Sequence, residues 1–258
     1  MSTDTGARYL NGFTFSPRRK NESAELVLTY RCNLDCYGCT RGCFLQEPHT
    51  PDLTLEDAHE FFRQCRELNW KPNIVITGGE PTLHPQFDEF CRIAVEFNRD
   101  VRVFSNQNGA RASQKIREAQ SNHGVSVVGE TAKPSGAMRK YTGISGWTDD
   151  AFVSPSDFGE PLRVPCYQHC SVLCGISVDA VGYSPCAPGG AIDALLGCGV
   201  RTKRLADLFE IPTMAVKTAL LCQHCGVQRA KRENVAKCEV IHGTPMSPVW
   251  VKAFEGRK

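Results

Sequence analysis

From residue 24 onward, short β-prone runs alternate with stretches of helical periodicity. This alternation constrains the chain more than any other feature, because it argues for parallel strands joined by crossover helices. Residues 24–32 (AELVLTYRC) read as the first strand. Thr54 then stands as an N-cap with Asp57 three residues on, and Ala58, Phe61, Phe62, Cys65 and Leu68 recur at the spacing of an amphipathic helix. NIVIT, residues 73–77, is a buried-strand run, followed by a Gly-rich turn and a second helix with Phe87, Phe90, Cys91, Ala94 and Phe97 on its inner face. VRVFS and VSVV, separated by a helical stretch over residues 111–122, repeat the unit, so that four βα-type units are complete by about residue 130.

A chain of 258 residues with 41% hydrophobic content can bury one large core or two modest ones, which excludes intrinsic disorder. Its formal charge of +2 offers no global field for nucleic acid or an acidic membrane. The outlying count is 14 cysteines. The first 20 residues are polar and end in a basic patch, without the apolar segment of a signal peptide, and no later run approaches the ~18 apolar residues of a membrane span. The expected location is cytoplasmic, where thiols stay reduced and a surplus of cysteines argues for metal ligation over disulfides. Between residues 131 and 165 the text turns to Gly, Pro, Ser and Asp, with AFVS as a weak strand. The division expected is an N-terminal extension over 1–23, a barrel-like unit over 24–160 and a cysteine-rich unit over 161–258. Residues 201–258 carry 11 Lys or Arg against 5 acids, a basic face that is either solvated surface or a dock for an anionic substrate or protein partner.

The end of the first strand carries Cys32, Cys36 and Cys39 at C-x3-C-x2-C spacing. Such a loop can curl three sulfurs around a cuboidal iron–sulfur cluster and leave the fourth iron open for a substrate or cofactor. Cys32 follows the strand directly, at the C-terminal mouth where parallel-sheet folds place their sites. A zinc site on the same thiols would need Cys43 or a histidine as its fourth ligand. After the second strand comes Thr77-Gly78-Gly79-Glu80-Pro81-Thr82, and the third ends Ser105-Asn106-Gln107-Asn108-Gly109. Two glycines let a backbone approach a ligand closely, and a carboxylate complements an ammonium. Cys65 and Cys91, on the apolar faces of the two helices, read as core thiols.

These three strand ends resemble the radical S-adenosylmethionine (SAM) superfamily, whose signature is the three-cysteine loop after the first barrel strand. The resemblance implies an α/β fold, a partial, truncated (β/α) TIM-like barrel, with a [4Fe-4S] cluster on Cys32, Cys36 and Cys39. It gives SAM binding to Gly78, Gly79, Glu80 and Pro81, which would hold the methionine amino group, and to Ser105 and Asn106. The pattern departs at Gly38, where the family often has an aromatic residue; here the aromatic is Tyr37, one position earlier.

Eight further cysteines follow residue 160: Cys166, Cys170, Cys174, Cys186, Cys198, Cys222, Cys225 and Cys238. Cys170 to Cys186, with the later Cys222-Gln-His-Cys225, resembles the small cysteine-rich auxiliary-cluster domain of some family members, in its long (SPASM) or short (twitch) version. The opening pattern has four residues between its glycine and its second cysteine; here three separate Gly182 from Cys186. Ile176, Val178 and the turn over 179–182 read as a hairpin that would bring Cys170 and Cys186 together. The twitch version fits the spacing better, and the implied ligands are Cys170, Cys186, Cys222 and Cys225, with Cys166 or Cys174 as replacements for Cys170. A second auxiliary cluster, or a zinc on the same thiols, stays open, as do the roles of Cys43, Cys198 and Cys238.

The resemblance implies that the open iron chelates SAM and that a 5′-deoxyadenosyl radical abstracts hydrogen from an unactivated carbon. An auxiliary cluster with four cysteine ligands would accept the substrate radical's electron, which makes the expected enzyme an oxidoreductase. The layout is similar to the twitch-type dehydrogenases of 2-deoxy-scyllo-inosamine, which points to a small-molecule alcohol as substrate. Peptide modification is the rival, and a metal-bound structural or electron-transfer protein is the reading from another class. An external one-electron reductant such as flavodoxin or ferredoxin is implied as partner. A general base could be Glu130, Arg139, Tyr141 or His169.

Overall fold

The computed structural model describes residues 8–10, 13–15, 23–34, 39, 41–43, 50–128, 175–222, 224–225, 239–241, 244–246, 251–252 and 255–256. An antiparallel pair, β1 (Arg8–Leu10) with β2 (Phe13–Phe15), precedes the main sheet. The main sheet contains β3 (Ser23–Val27), β4 (Asn73–Thr77), β5 (Val101–Phe104), β6 (Ser126–Val128), β7 (Ile176–Asp179) and β8 (Gly182–Ser184). Their order is β6-β5-β4-β3-β7-β8, parallel throughout except for the closing β7–β8 hairpin. The edge strands β6 and β8 do not pair with each other, so the sheet is an open, partial barrel.

Parallel neighbours need crossovers. Three of them are the expected helices, α1 (Leu55–Glu67), α2 (Phe87–Phe97) and α3 (Ala110–His123). The chain from 129 to 174, with the AFVS run, lies outside the described residues. Helix α1 starts on a capping box: Thr54 Oγ1 accepts from the Asp57 N–H at 3.0 Å, and the Asp57 carboxylate accepts from the Thr54 N–H at 3.1 Å.

Alternation along each strand divides the sheet into two faces. Ala24, Leu26, Leu28, Ile74, Ile76, Val101, Val103, Ile176 and Val178 meet Phe61, Phe62, Cys65, Phe87, Phe90, Cys91 and Ile116 in one core. Each fully buried large side chain there stabilises the fold by roughly 1.5–3 kcal/mol. Cys65 and Cys91 are core thiols, as their helical spacing indicates, and burial pushes Cys91 up to about 12.

The intervening residues, Glu25, Val27, Thr77, Ser177 and Asp179, face the other side. Part of that side is covered by α4 (Ala187–Leu196), through a small cluster of Val27, Tyr30 and Ala191. The helix lies flush because Gly190 has no side chain: a Cβ there would sit 2.9 Å from Asp179 Oδ2 and 3.0 Å from Tyr30 Oη. Helix α5 (Ile211–Cys222) follows, and β9 (Glu239–Ile241) with β10 (Thr244–Met246) forms a last antiparallel pair. Among the described residues no helix is long and apolar enough to cross a membrane.

Two expectations differ in detail. The first strand ends at Val27 rather than running to Cys32, because the next carbonyls are taken by the turn after β4: Gly79 N–H donates to Thr29 O at 2.7 Å and Glu80 N–H to Arg31 O at 2.9 Å. The hairpin around residues 179–182 forms as expected, but β7 also pairs in parallel with β3, Ala24 opposite Ile176 and Leu26 opposite Val178. The hairpin therefore extends the barrel sheet.

Candidate active site

Three strand ends meet at the C-terminal edge of the sheet, and close approach of backbones makes this possible. A Cβ on Gly78 would lie 2.4 Å from Thr29 O, and one on Gly79 would lie 2.2 Å from Arg31 O. The glycines thus let the turn after β4 close onto the end of β3, a physical use of their bareness that differs from the ligand approach expected of them. Pro81 opens a single 3-10 turn, Pro81–Leu83, and Lys115 on α3 donates to the Thr82 carbonyl at 2.6 Å.

Glu80 is fully buried and ties this turn to β5. Its carboxylate accepts from Thr82 N–H at 3.1 Å, Thr82 Oγ1 at 2.6 Å, Ser105 Oγ at 2.9 Å and Asn106 N–H at 2.8 Å. A carboxylate offers about four acceptor positions, so an ammonium brought to Glu80 would share an already occupied group. The side chain of Asn106 carries the connection onward. Its Nδ2 donates to Asn33 Oδ1 at 2.9 Å and lies 3.8 Å from Cys32 Sγ. Asn33 donates in turn to Asn108 O at 2.9 Å, and Asn108 N–H donates to Asn106 Oδ1 at 2.8 Å. Cys32, Glu80, Ser105 and Asn106, 74 positions apart at the extremes, are thereby joined in one hydrogen-bonded chain. Asn33 and Asn108 have no assigned role in the sequence; their only local signal is the habit of Asn to bond nearby backbone at strand ends.

Cys32 and Cys39 are both partly exposed at this edge, and Cys36 lies outside the described residues. Cys39 and the buried Cys43 have their sulfurs 3.8 Å apart. The Cys39 thiol is drawn down to about 6, chiefly by the hydrogen bond from Cys43, while Cys43 is pushed well up by that same bond and by burial. Arg41 turns inward and forms a buried ion pair with Glu25 on β3. Soft thiol donors at a strand end, one of them already biased toward thiolate and another bonded by an amide N–H, suit an iron–sulfur cluster.

Residues 26–151 match the Radical SAM superfamily. The chain carries a radical SAM domain. The cofactors of such a domain are a [4Fe-4S] cluster and SAM. Its sequence is 28% identical over 105 residues to a GTP 3′,8-cyclase of Aliarcobacter butzleri (strain RM4018), covering 39% of this chain and 32% of that protein. It is 31% identical over 98 residues to an AdoMet-dependent heme synthase of Methanosarcina barkeri (strain Fusaro / DSM 804), covering 38% and 27% respectively. The matched region is thus about a third or less of these curated relatives. In fold, the chain is similar to the crystal structure of BtrN in complex with AdoMet and 2-DOIA, with a TM-score of 0.51 at 16% identity, covering 83% of this chain and 97% of that one.

Beyond the radical SAM domain, Cys186 caps the N-terminus of α4 and Cys225 is buried. Cys186, Cys198 and Cys225 pack on one apolar cluster with Ile192, Leu195, Val200 and Leu221. Cys222 closes α5, but its side chain is outside the described set, as are Cys166, Cys170, Cys174 and Cys238. Among the described residues no three His, Cys, Asp or Glu converge as a metal site. The candidate bases Glu130, Arg139, Tyr141 and His169 also fall outside them.

A buried polar clamp joins α4 to the radical SAM domain. Arg201 donates to Asp179 Oδ2 at 2.6 Å, Asp193 Oδ2 at 2.9 Å and Gly190 O at 2.6 Å. Tyr30, two residues before Cys32, donates to the same Asp179 oxygen at 2.9 Å. Burial, then the neighbouring Asp179, pushes the Tyr30 phenol well above its ordinary range.

Proposed function

We propose that this chain is a radical SAM oxidoreductase that dehydrogenates a small molecule, a sugar or aminocyclitol alcohol. The observation that carries the reading is the hydrogen-bonded chain from Glu80 through Asn106 to Cys32, which ties Cys32, the Gly-Gly-Glu turn and the Ser-Asn strand end together. A radical SAM domain needs all three there, whereas an electron carrier has no use for the last two. The substrate class is supported by likeness of fold to BtrN, whose structure contains AdoMet and 2-DOIA. The matches to GTP 3′,8-cyclases and heme synthase lie in a shared third of those proteins and favour no substrate.

In this reading Cys32, Cys36 and Cys39 hold the cluster, and Gly78, Gly79, Glu80, Pro81, Ser105 and Asn106 form the SAM pocket. Bound together, cluster and SAM supply abstraction of a hydrogen atom from an unactivated carbon. The protein's part is to orient and exclude water. Glu80 holds Ser105 and the Asn106 backbone in place, which leaves the Asn106 amide aimed at Cys32. Helix α4 keeps water from the inner face over β3 and β7. Cys170, Cys186, Cys222 and Cys225 are the residues that would hold one auxiliary cluster, which would supply an acceptor for the second electron of the oxidation; the shared apolar bed of Cys186 and Cys225 supports this set.

The test is anaerobic reconstitution of the full chain with iron and zinc analysis, followed by incubation with SAM, reductant and a panel of aminocyclitol and sugar alcohols. About eight irons per chain, corresponding to two four-iron clusters, with 5′-deoxyadenosine and a ketone product in equal amounts, is the expected result. Stoichiometric zinc with intact SAM removes the enzyme reading. Turnover of a peptide panel but no alcohol removes the small-molecule reading.

A further inference from the structure

Cys43 stands four residues after Cys39, is 3% exposed, and holds its sulfur 3.8 Å from the Cys39 sulfur. The local backbone leaves it little choice. Gly42 N–H donates to Cys39 O at 3.0 Å, and Gly42 adopts φ +54, the left-handed conformation glycine accepts without strain. This tight turn brings residue 43 back beneath residue 39. The preceding Arg41, ion-paired with Glu25 in the interior, anchors the turn to β3. The arrangement is thus fixed from two sides, and Cys43 points at its neighbour instead of filling the main core, which it does not join.

We propose that Cys43 is not a cluster ligand but a hydrogen-bond donor to the Cys39 thiolate, and so a tuning residue for the reduction potential of the cluster. This rests on the reading of Cys32, Cys36 and Cys39 as ligands. Cysteines bound to one cubane sit on different irons, with the cluster spanning the gap between them. Two sulfurs in direct S–H···S contact do not have this arrangement. A buried thiol keeps its hydrogen, and hydrogen bonds to ligand sulfurs are one of the levers that set a cluster's potential. The bond stabilises the more negative, reduced cluster. Asn106 Nδ2, 3.8 Å from Cys32 Sγ, supplies a second donor of the same kind, to another of the ligand sulfurs. The same sulfur separation also suits two thiolates on one tetrahedral zinc with bonds of about 2.3 Å, which is why metal identity belongs in the test.

The full chain is reconstituted anaerobically as parent, C43A, C43S and C39A. Metal content, midpoint potential and the electron paramagnetic resonance of the reduced cluster whose signal responds to SAM are measured. The expected result is that C43A keeps the parent iron content, its midpoint moves to a more negative value and its spectrum changes. C43S, with a hydroxyl donor in place, returns most of the shift, and C39A loses the iron of this cluster. Unchanged potential and spectrum in an iron-replete C43A overturn the proposal, as does loss of iron in C43A equal to that in C39A, which would make Cys43 a ligand. Zinc lost on C43A overturns it too. Full iron in C39A instead overturns the ligand reading on which the proposal stands.

Discussion

Arg41 and Glu25 show how much one pair of side chains can decide at this site. Both are buried, and their ion pair is what carries the loop after Cys39 into the interior of the sheet. Removing one member of a buried pair leaves a charge without compensation and costs about 3–5 kcal/mol, while replacing both with apolar groups of similar volume is often close to neutral. R41M is therefore expected to lower stability in urea denaturation by that amount and to lose iron from the SAM-binding cluster. The double variant E25M/R41M regains most of the stability, but the loop loses its directional tie. If R41M alone is as stable as the parent, the pair has no anchoring role. Neither residue stands out in the sequence, since a lone Arg in a loop and a lone Glu in a strand are ordinary surface residues until the fold brings them together.

At the scale of elements, the contrast between a helix start and a strand end separates stability from function. Thr54 caps α1 through bonds to Asp57 of the same helix, and T54A is expected to cost about 1 kcal/mol, with SAM cleavage per reconstituted chain unchanged. G79A places a Cβ where the Arg31 carbonyl already lies. It should abolish SAM-dependent 5′-deoxyadenosine formation even where thermal unfolding shows a folded chain. Equal activity in G79A and T54A would show that the turn does not need to close on β3. Helices α1, α2 and α3 are legible because their apolar residues recur at helical spacing, in α1 with the Thr54 cap in front, and NIVIT because it is short and apolar. The cysteine loop, the Gly-Gly-Glu turn and the Ser-Asn end were legible as motifs. Their joining through Asn33 and Asn108 was not, because it depends on contacts between strand ends that no local pattern encodes. Helix α4 was hidden for another reason: APGGAIDALL has almost no polar face, since its residues are buried on nearly every side, and Gly189 and Gly190 read locally as a loop.

For the whole molecule, the decisive connection is the one between the strand that leads to Cys32 and the helix that starts at Cys186. Tyr30 and Asp179 are 149 residues apart and share a hydrogen bond, and Arg201 adds Asp193 and the Gly190 carbonyl. R201M leaves two buried carboxylates without their cation, a loss of about 3–5 kcal/mol. It should lower the denaturation midpoint and release the iron of the proposed auxiliary cluster before that of the SAM-binding cluster, which is visible as two steps in iron content during mild chelation. Simultaneous release would show that the clamp does not hold α4 separately. The flush seat of Gly190 against Tyr30 and Asp179 has one more consequence. Electron tunnelling slows exponentially with distance, so the clusters proposed at Cys32 and Cys186 need a spacer that does not stretch as the active site fills and empties. A bare glycine pressed against the Tyr30 hydroxyl and the Asp179 carboxylate, both held by the Arg201 clamp, is such a spacer.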